Sequence, residues 1–481
     1  MLYSNNKDFM KSCNNSKIKV VIQMENDEKI ELFENMPVRK AVMKLSVPTV
    51  LSSLVMVIYN LADTYFVGML GDPIENSAVT LAAPLLLAFN AVNNLFGVGS
   101  SSMMSRALGR KDFDTVYRSS AFGFYCSVIS GVLFSLLYTI LHIPLLTVLG
   151  ADSETAAATA QYLKWTVGLG AVPAILNVVL AYLVRAEGAS LHASVGTMSG
   201  CILNIFLDPF FVLPQFLDMG AAGAGLATFV SNCFACIYFF ILLFVKRKST
   251  YVCINPKRFT LKKEIVSGVF AVGIPASIQN LLNVTGMTVL NNFTAAFGSS
   301  AVAAMGIAQK INIIPMQVAL GFSQGIMPLI SYSYASKNVK RMKKALVFSS
   351  EISIGFLLMA TIGFHIFSGG LISLFMENDA IVAYGSKFLQ GMCLSLPFLC
   401  MDFIAVGVFQ ACGMGKKSLV FAIMRKIVLE IPALFLLNYL YPLYGLAYAQ
   451  TVSEIILAVA AVCTLVSLFK KLKAECSDVS L

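Results

Sequence analysis

The chain enters its first long apolar stretch at residues 44–69, which read KLSVPTVLSSLVMVIYNLADTYFVGM. After Lys44, the stretch contains a single charged residue, Asp63. A helix needs about 20 predominantly apolar residues to cross the hydrocarbon core of a bilayer. The stretch therefore predicts a membrane-spanning helix with one carboxyl group inside it.

Eleven further apolar stretches of similar length follow the first. Hydrophobic residues make up 57% of the 481 residues and charged residues 12%, whereas an average soluble domain has about 25% charged residues. This composition predicts an all-α polytopic membrane protein with twelve transmembrane helices. The predicted spans are 44–69, 77–105, 119–141, 162–184, 191–213, 221–245, 265–296, 300–333, 345–367, 388–410, 418–440 and 444–468.

The second half of the chain repeats the first at an offset of about 226 residues. LSVP at 45–48 returns as VGIP at 272–275, and RAEG at 185–188 returns as QACG at 410–413. Ordered repeats of this kind predict two pseudo-symmetric six-helix bundles around a shared cavity, a plan common among transporters. The predicted domains are an N-terminal tail (1–40), a first lobe (41–248), a linker (249–264), a second lobe (265–470) and a C-terminal tail (471–481).

The net charge of +10 is distributed in a way that indicates membrane topology rather than nucleic-acid binding. With the N-terminus inside, the predicted cytoplasmic segments hold 32 of the 35 Lys and Arg residues, including those of a loop at 416–426. Positive charge concentrates on the cytoplasmic side of membrane proteins. The sequence therefore predicts a multi-pass cell-membrane protein with both tails in the cytoplasm, where attraction to anionic membrane lipid is a secondary effect.

The sequence lacks the motifs of the commonest catalytic sites. It contains no Ser-His-Asp arrangement, no metal-binding motif and no GxxxxGK[ST] phosphate loop, which argues against an ATP-driven pump. We therefore predict that the protein is not an enzyme and has no bound cofactor. Any energy for transport would come from a gradient of H⁺ or Na⁺.

Two carboxyl groups in the first half lie deep inside predicted spans. Tyr59 and Asp63 share one helix face, as do Asn204 and Asp208, and Pro209 loosens the second helix. These groups could form an oxygen cage for Na⁺, or one carboxyl could carry a proton. Alternatively, they are hydrogen-bonded to backbone or face a water-filled vestibule. The cost of a carboxylate in a membrane favours a cation-coupling role.

The second half also carries charged residues inside its predicted spans. Lys310 either faces a cavity or extends to the membrane interface. Asp402 either attracts cationic substrates or pairs with Lys310. Glu430 and Glu454 lie near the middle of their spans, where structural hydrogen bonding and a functional role are both open.

The seventh predicted span has an amide-rich face that includes Gln279 and Asn283. Amides in membrane helices often form hydrogen bonds to neighbouring helices. The alternative is that they line a cavity, and on that interpretation Gln279, Asn283, Lys310 and Asp402 are the candidate substrate-binding residues.

Several motifs resemble those of the multidrug and toxic compound extrusion (MATE) family. They are NLADTYFVG at 60–68 with Pro48 before it, Asn204 with Asp208-Pro209, GAGLAT at 223–228 and RAEG at 185–188. The resemblance extends from about residue 31 to residue 473 and is strongest to the bacterial multidrug branch.

The resemblance implies two six-helix lobes that enclose a V-shaped cavity, and cation-driven antiport of organic cations. It places the first-lobe cation site on Tyr59, Asp63, Asn204, Asp208 and Thr228. Some members have an acid in the seventh span where this chain has Asn283, so a second-lobe cation site is not carried over.

We therefore predict an efflux antiporter that exchanges H⁺ or Na⁺ for amphipathic, cationic organic compounds, with H⁺ favoured. If the coupling ion is Na⁺, its ligands are Asp63, Asn204 and Asp208. We also predict that the protein acts as a monomer. A lipid-linked precursor flippase of the same two-lobe plan is one alternative, and a membrane receptor that transports nothing is another.

Overall fold

The computed structural model describes residues 29–376 and 378–478, which contain no β-strand. The twelve long helices are α1 Val38–Gly68, α2 Pro73–Gly109, α3 Phe113–Val148, α4 Ala156–Leu169 with Ala171–Ala186, α5 Ser190–Val212, α6 Gly220–Val245, α7 Lys263–Ala295, α8 Ser299–Ala335, α9 Val339–Ser373, α10 Asp379–Cys393 with Leu396–Ala411, α11 415–440 and α12 Tyr444–Glu475. Helices α4 and α10 bend by 50° and 46° at their breaks.

The helices form two lobes, α1–α6 and α7–α12, as the sequence predicts. Within the first lobe α1 packs on α5 and α5 on α6, while α8 packs on α9 and α10 in the second. The lobes meet mainly where α1 lies against α8 and α2 against α7. A single turn at Pro256–Arg258 is the helical part of the segment that connects them.

Helix α11 differs from the other helices because its middle is charged. Among the described residues, nine helices are long and apolar enough to cross a membrane, or eleven if each bent pair is one span. The helix at 415–440 completes twelve, although it carries Arg425, Lys426 and Glu430 in a π-helical turn at Met424–Glu430. The assignment of Arg425 and Lys426 to a basic loop is wrong, because both side chains are buried inside the second lobe.

The lobes are tightly packed at one end of the molecule, which we call the basic end because its loops, such as 246–263, are rich in Lys and Arg. There α1 approaches α8 at glycines: a Cβ atom on Gly325 would lie 2.6 Å from the Cα of Ser46. Ser102 Oγ of α2 also donates a hydrogen bond to the Gln410 carbonyl of α10 at 2.5 Å.

At the opposite end, which we call the open end, the glycines of α1 and α8 make no such approach. A Cβ atom on Gly68 of α1 or on Gly306 of α8 would have no heavy atom within 4 Å. Together the two ends give a V-shaped arrangement that is closed at the basic end.

The predicted N-terminal tail is folded over its last part. Residues 29–34 form a short helix, which we call the N-terminal helix, and α1 begins at Val38. Leu32 and Phe33 of the N-terminal helix are buried. At the other terminus helical backbone continues past the span α12 to Asp478, inside the predicted tail 471–481. Residues 1–28 and 479–481 of the two predicted tails lie outside the described residues.

Candidate functional site

The first-lobe candidates lie together where α1, α5 and α6 pack. Asp208 and Asn204 are buried on α5, and Asp63 and Tyr59 are partly buried on α1. With the Asn204 amide oriented by its hydrogen bonds, its nitrogen donates to Asp208 Oδ2 at 2.8 Å. Its oxygen accepts from the Thr228 amide N–H at 3.1 Å. The spacing of four residues on α5 therefore produces a direct contact between Asn204 and Asp208.

The two acids share one electrostatic environment. The charge of Asp63 acts on Asp208, and both act on the buried Tyr162 of α4. The side chains of Tyr59 and Thr228 lie close to each other, and both line the cavity described below. Among the described residues, neither carboxyl group has a Lys or Arg partner that would neutralise its charge. The five residues predicted as a cation site are thus brought together, with two acids and no fixed counter-ion.

A cavity lies between the lobes and has two arms. The first arm has a volume of about 380 Å³ and is lined mainly by the first lobe, with Asn280, Gln317 and Gln324 contributed by the second. Its other polar walls come from α1, α2, α4, α5 and α6. They include Tyr59, Asn60, Asn90, Asn93, Asn94, Asn177, Asn204, Thr228 and Asn232.

The second arm has a volume of about 260 Å³ and reaches into the second lobe. Gln279 and Asn283 both line it, together with the side chains of Met316, Met327 and Phe403. Gln410 Nε2 donates to Gln279 Oε1 at 3.2 Å across the arm. This arm therefore combines amide groups with adaptable apolar surface.

Neither arm has an Asp, Glu, Lys or Arg among its lining residues. The carboxyl groups of Asp63 and Asp208 lie behind the wall, while Tyr59, Asn204 and Thr228 form part of the wall itself. The hydrogen bond from Asn204 connects the buried Asp208 to the cavity surface, and the charge of Asp63 acts on the lining residue Tyr59. A change in the charge of either acid can therefore affect the lining through a single neighbouring side chain.

The structure separates Lys310 and Asp402 from this cavity and from each other. Lys310 is exposed on α8 and lines neither arm. Asp402 is buried on α10, where its Oδ2 lies 3.7 Å from Arg425 Nη1. The alternative in which Asp402 pairs with Lys310 is therefore wrong, and Asp402 does not present its carboxyl group to the cavity.

Asp402 belongs to a buried ionic cluster inside the second lobe. Arg425 Nε donates to Glu454 Oε1 at 2.6 Å, and Lys426 Nζ donates to Glu430 Oε2 at 2.6 Å. Sequence reasoning missed Arg425 and Lys426 as buried cations, because they follow Lys416 and Lys417 and were assigned to the same basic loop. The available signal was the spacing of four residues between Lys426 and Glu430, which is typical of an ion pair on one helix face.

Sequence reasoning also missed most of the amides that line the first arm. The signal was present, because asparagine is rare in an apolar helix and α2 carries three within five residues, at 90, 93 and 94. A π-helical turn at Asn94–Val98 interrupts α2 beside them. Such turns occur frequently at functional sites.

Known proteins resemble this chain in sequence over most of its length. A family model described as MatE matches residues 48–210 and 275–436. A protein named multidrug export protein MepA from Staphylococcus aureus (strain MRSA252) is 34% identical over 458 residues, which are 94% of this chain and 99% of that protein. The protein of the same name from Staphylococcus saprophyticus is 33% identical over 438 residues, covering 90% and 95%.

Solved structures match the fold equally well. One is described as the outward-facing conformation of a multidrug resistance MATE family transporter of the MOP superfamily. It has a TM-score of 0.87 at 25% identity and covers 92% of this chain and 98% of that one. Another, described as a MATE in the bent conformation, has a TM-score of 0.84 at 25% identity, with 93% and 98% covered. The two-lobe fold, the family model and the full-length relatives agree, and the chain therefore belongs to the MATE family.

Proposed function

We propose that the protein is a multidrug efflux antiporter that exchanges an inward-moving cation for an outward-moving organic compound. The observation that carries the proposal is the position of Asp63 and Asp208, two acids with no fixed counter-ion behind the wall of a cavity between two lobes. The names of the relatives at 34% identity support the export of drugs.

The antiport step follows from the connection between the acids and the cavity wall. Binding a cation at Asp63 and Asp208 removes negative charge and changes which partners Asn204, Thr228 and Tyr59 can hold. Those three side chains form part of the surface that an organic compound would contact. Each ligand therefore weakens the binding of the other, and this coupling must be reciprocal.

We propose H⁺ as the coupling ion. Two neighbouring acids resist simultaneous ionisation, so one of them readily holds a proton. Na⁺ needs several oxygen ligands at once, which would have to come from Asp63, Asn204 and Asp208. In the hydrogen-bonded orientation, however, Asn204 turns its nitrogen toward Asp208, and an amide nitrogen is a donor that does not coordinate Na⁺.

The proposed substrates are amphipathic organic cations. The cavity offers amides for varied hydrogen bonds, and methionine and aromatic surface for flat apolar rings. The unneutralised acids behind the wall supply a negative potential that favours a positively charged ligand. A flippase for a lipid pyrophosphate is disfavoured, because neither arm has a Lys or Arg among its lining residues.

We further propose that the protein lies in the cell membrane as a monomer, with the basic end in the cytoplasm. The concentration of Lys and Arg in the loops of that end supports this orientation. The open end then faces outward, and the structure corresponds to the state that releases the drug.

The proposal is tested by measuring efflux of a fluorescent cation from cells that lack their own efflux pumps. We expect Asp63→Asn to abolish efflux without lowering the amount of protein in the membrane, because an amide cannot exchange a proton. Asp152→Asn is the matched control, since Asp152 is exposed in a loop and the asparagine oxygen can still accept the hydrogen bonds from the backbone N–H groups of Glu154 and Thr155. Wild-type efflux by a well-expressed Asp63→Asn protein would refute the coupling role.

The coupling ion is tested separately in proteoliposomes with imposed gradients. We expect an outward drug flux when a pH gradient is applied in the absence of sodium. A flux that requires a sodium gradient at clamped pH would contradict the proton proposal and leave the antiport proposal intact.

A further inference from the structure

The N-terminal helix lies across the basic end and contacts both lobes. Its residues do not behave as a solvated tail, because Leu32 and Phe33 are each only 3% exposed. The sequence explains this burial: Leu32, Phe33 and Met36 give a short apolar face, and Pro37 then separates the segment from α1. Most helical stability in proteins comes from tertiary packing, so the order of residues 29–34 comes from the contacts that they make.

The polar contacts to the first lobe are centred on Lys29. Lys29 Nζ lies 3.0 Å from Glu187 Oε1 and donates to the Ser249 carbonyl at 2.7 Å. Glu187 is 4% exposed and is fixed by the backbone N–H of Tyr251 at 2.6 Å. Glu34 adds a solvent-exposed ion pair at 3.4 Å to Lys111, which follows α2. The helix is thus anchored to loops of the first lobe on both sides.

The contacts to the second lobe involve the ends of α8 and α9. The ring of Phe33 stacks on Tyr332 with centroids 4.8 Å apart and planes 8° from parallel. The Tyr332 hydroxyl donates to Glu34 Oε1 at 2.7 Å. Arg341 Nη2 donates to the Leu32 carbonyl at 3.0 Å. Residues 29–34 therefore hold both lobes at the end where they are closed.

We propose that the N-terminal helix is a latch that keeps the basic end closed and must release one lobe before that end opens. The proposal rests on the alternating movement of the lobes in the proposed transport cycle. If the lobes separate at this end, Glu187 and Tyr332 move apart, and residues 29–34 cannot follow both. Either the stack of Phe33 on Tyr332 or the ion pair of Lys29 with Glu187 must break.

The location of these contacts sets the expected effect of the latch. The contacts to the lobe that is released exist in the closed state and are absent from the open one, so their strength shifts the equilibrium between the two states toward closure. Weakening them favours the state that opens at the basic end. A latch that is too weak would leave the cavity open on the side where drug is collected, which lowers net efflux.

The latch is tested by measuring distances between spin labels on cysteines introduced at the exposed positions Arg110 and Lys340, in a background without the native cysteines. These positions belong to opposite lobes at the basic end. We expect Phe33→Ala to raise the population with long distances about fivefold, the order of change expected for loss of one stacked aromatic pair. Glu31→Ala is the matched control, because Glu31 lies on the exposed face of the same helix.

Two further variants of the chain provide the same test if Phe33→Ala is poorly folded. Lys29→Ala removes only the polar anchor, and a chain that begins at Met36 lacks the helix entirely. We expect both to populate long distances more than the parent. Unchanged distance distributions in the folded variants would overturn the latch. This measurement needs no transport, so a parent protein that effluxes no drug would refute the proposed function without affecting the result for the latch.

Discussion

The replacement Arg425→Met tests whether the ionic cluster of the second lobe is needed for its stability. The Arg425 guanidinium forms ion pairs with two carboxyl groups. Its Nε lies 2.6 Å from Glu454 Oε1 and its Nη1 lies 3.7 Å from Asp402 Oδ2. All three side chains are at most 2% exposed. Methionine has a similar length and no charge, so the substitution leaves two buried acids without their cation.

The expected cost is large on the scale of protein stability. Removing one partner of a buried ion pair costs about 3–5 kcal/mol. Arg425 also lies 5.0 Å from the centre of the Phe403 ring, a desolvated contact worth up to about 2 kcal/mol. We therefore expect a loss at the upper end of the range, about 5 kcal/mol, against the total of about 5–15 kcal/mol that typical domains have.

The purified protein is heated in detergent, and the fraction that remains monodisperse is measured as a function of temperature. Arg425→Met should unfold at a clearly lower temperature, and combining it with Glu454→Gln and Asp402→Asn should recover most of the loss, because neutral side chains need no cation. Lys471→Met is the matched control, since the Lys471–Glu475 pair is exposed and 3.9 Å long. An Arg425→Met protein that unfolds with the parent would refute the reasoning.

Three further experiments test other parts of the structure. Gly325→Leu should shift the lobes toward opening at the basic end, because a side chain there collides with the α1 backbone. The spin-label distances described above should become longer in this variant. They should stay unchanged in the control Gly363→Leu, because Gly363 faces open space. Glu75→Ala should lower the stability in detergent by about 1 kcal/mol, because its carboxylate accepts a 2.6 Å hydrogen bond from the first turn of α6. External thiol labelling should reach a cysteine at Asp218 but not one at Lys257, and the reverse would overturn the proposed orientation.

The sequence predicts the helices and the first-lobe site because both depend on local signals. An uninterrupted apolar stretch can satisfy its backbone in a bilayer only as a helix, so span positions follow from composition. The pairs Tyr59 with Asp63 and Asn204 with Asp208 follow from helical spacing. The offset between repeats then places the two pairs in one lobe. Their burial near the same cavity is a consequence that the structure adds.

The second-lobe cluster was missed because it depends on which helices pack together. Asp402, Arg425 and Glu454 lie on three different helices, and no spacing within the chain reports their contact. The sequence analysis considered Lys310 as the cation that pairs with Asp402. The observed partner is Arg425, which was assigned to a basic loop at the start of α11. Lateral pairing of this kind is fixed by tertiary packing, which composition does not encode.

The N-terminal helix was missed for a related reason. A segment of mixed charge has no strong periodicity and resembles a solvated tail, and residues 29–36 contain only four large apolar side chains, of which Leu32 and Phe33 are buried. Their burial depends on a surface that two distant parts of the chain build, around Gly188 and Tyr332. Gly188 has a φ of +88°, and a Cβ there would lie 2.9 Å from Leu32, so the glycine leaves room for the helix.

The two lobes share a fold but differ in whether their intramembrane acids are paired with a fixed cation. This difference indicates which lobe binds the coupling ion. In the second lobe a fixed guanidinium occupies the space between Asp402 and Glu454, and a mobile cation would have to displace it or bind beside a positive charge. In the first lobe Asp208 accepts a hydrogen bond from Asn204, and neither Asp208 nor Asp63 has a Lys or Arg partner among the described residues. An acid can exchange a cation with solvent only when no fixed charge already satisfies it. The coupling ion of the proposed antiporter is therefore expected in the first lobe, and Asp402→Asn should slow efflux only as far as it destabilises the protein.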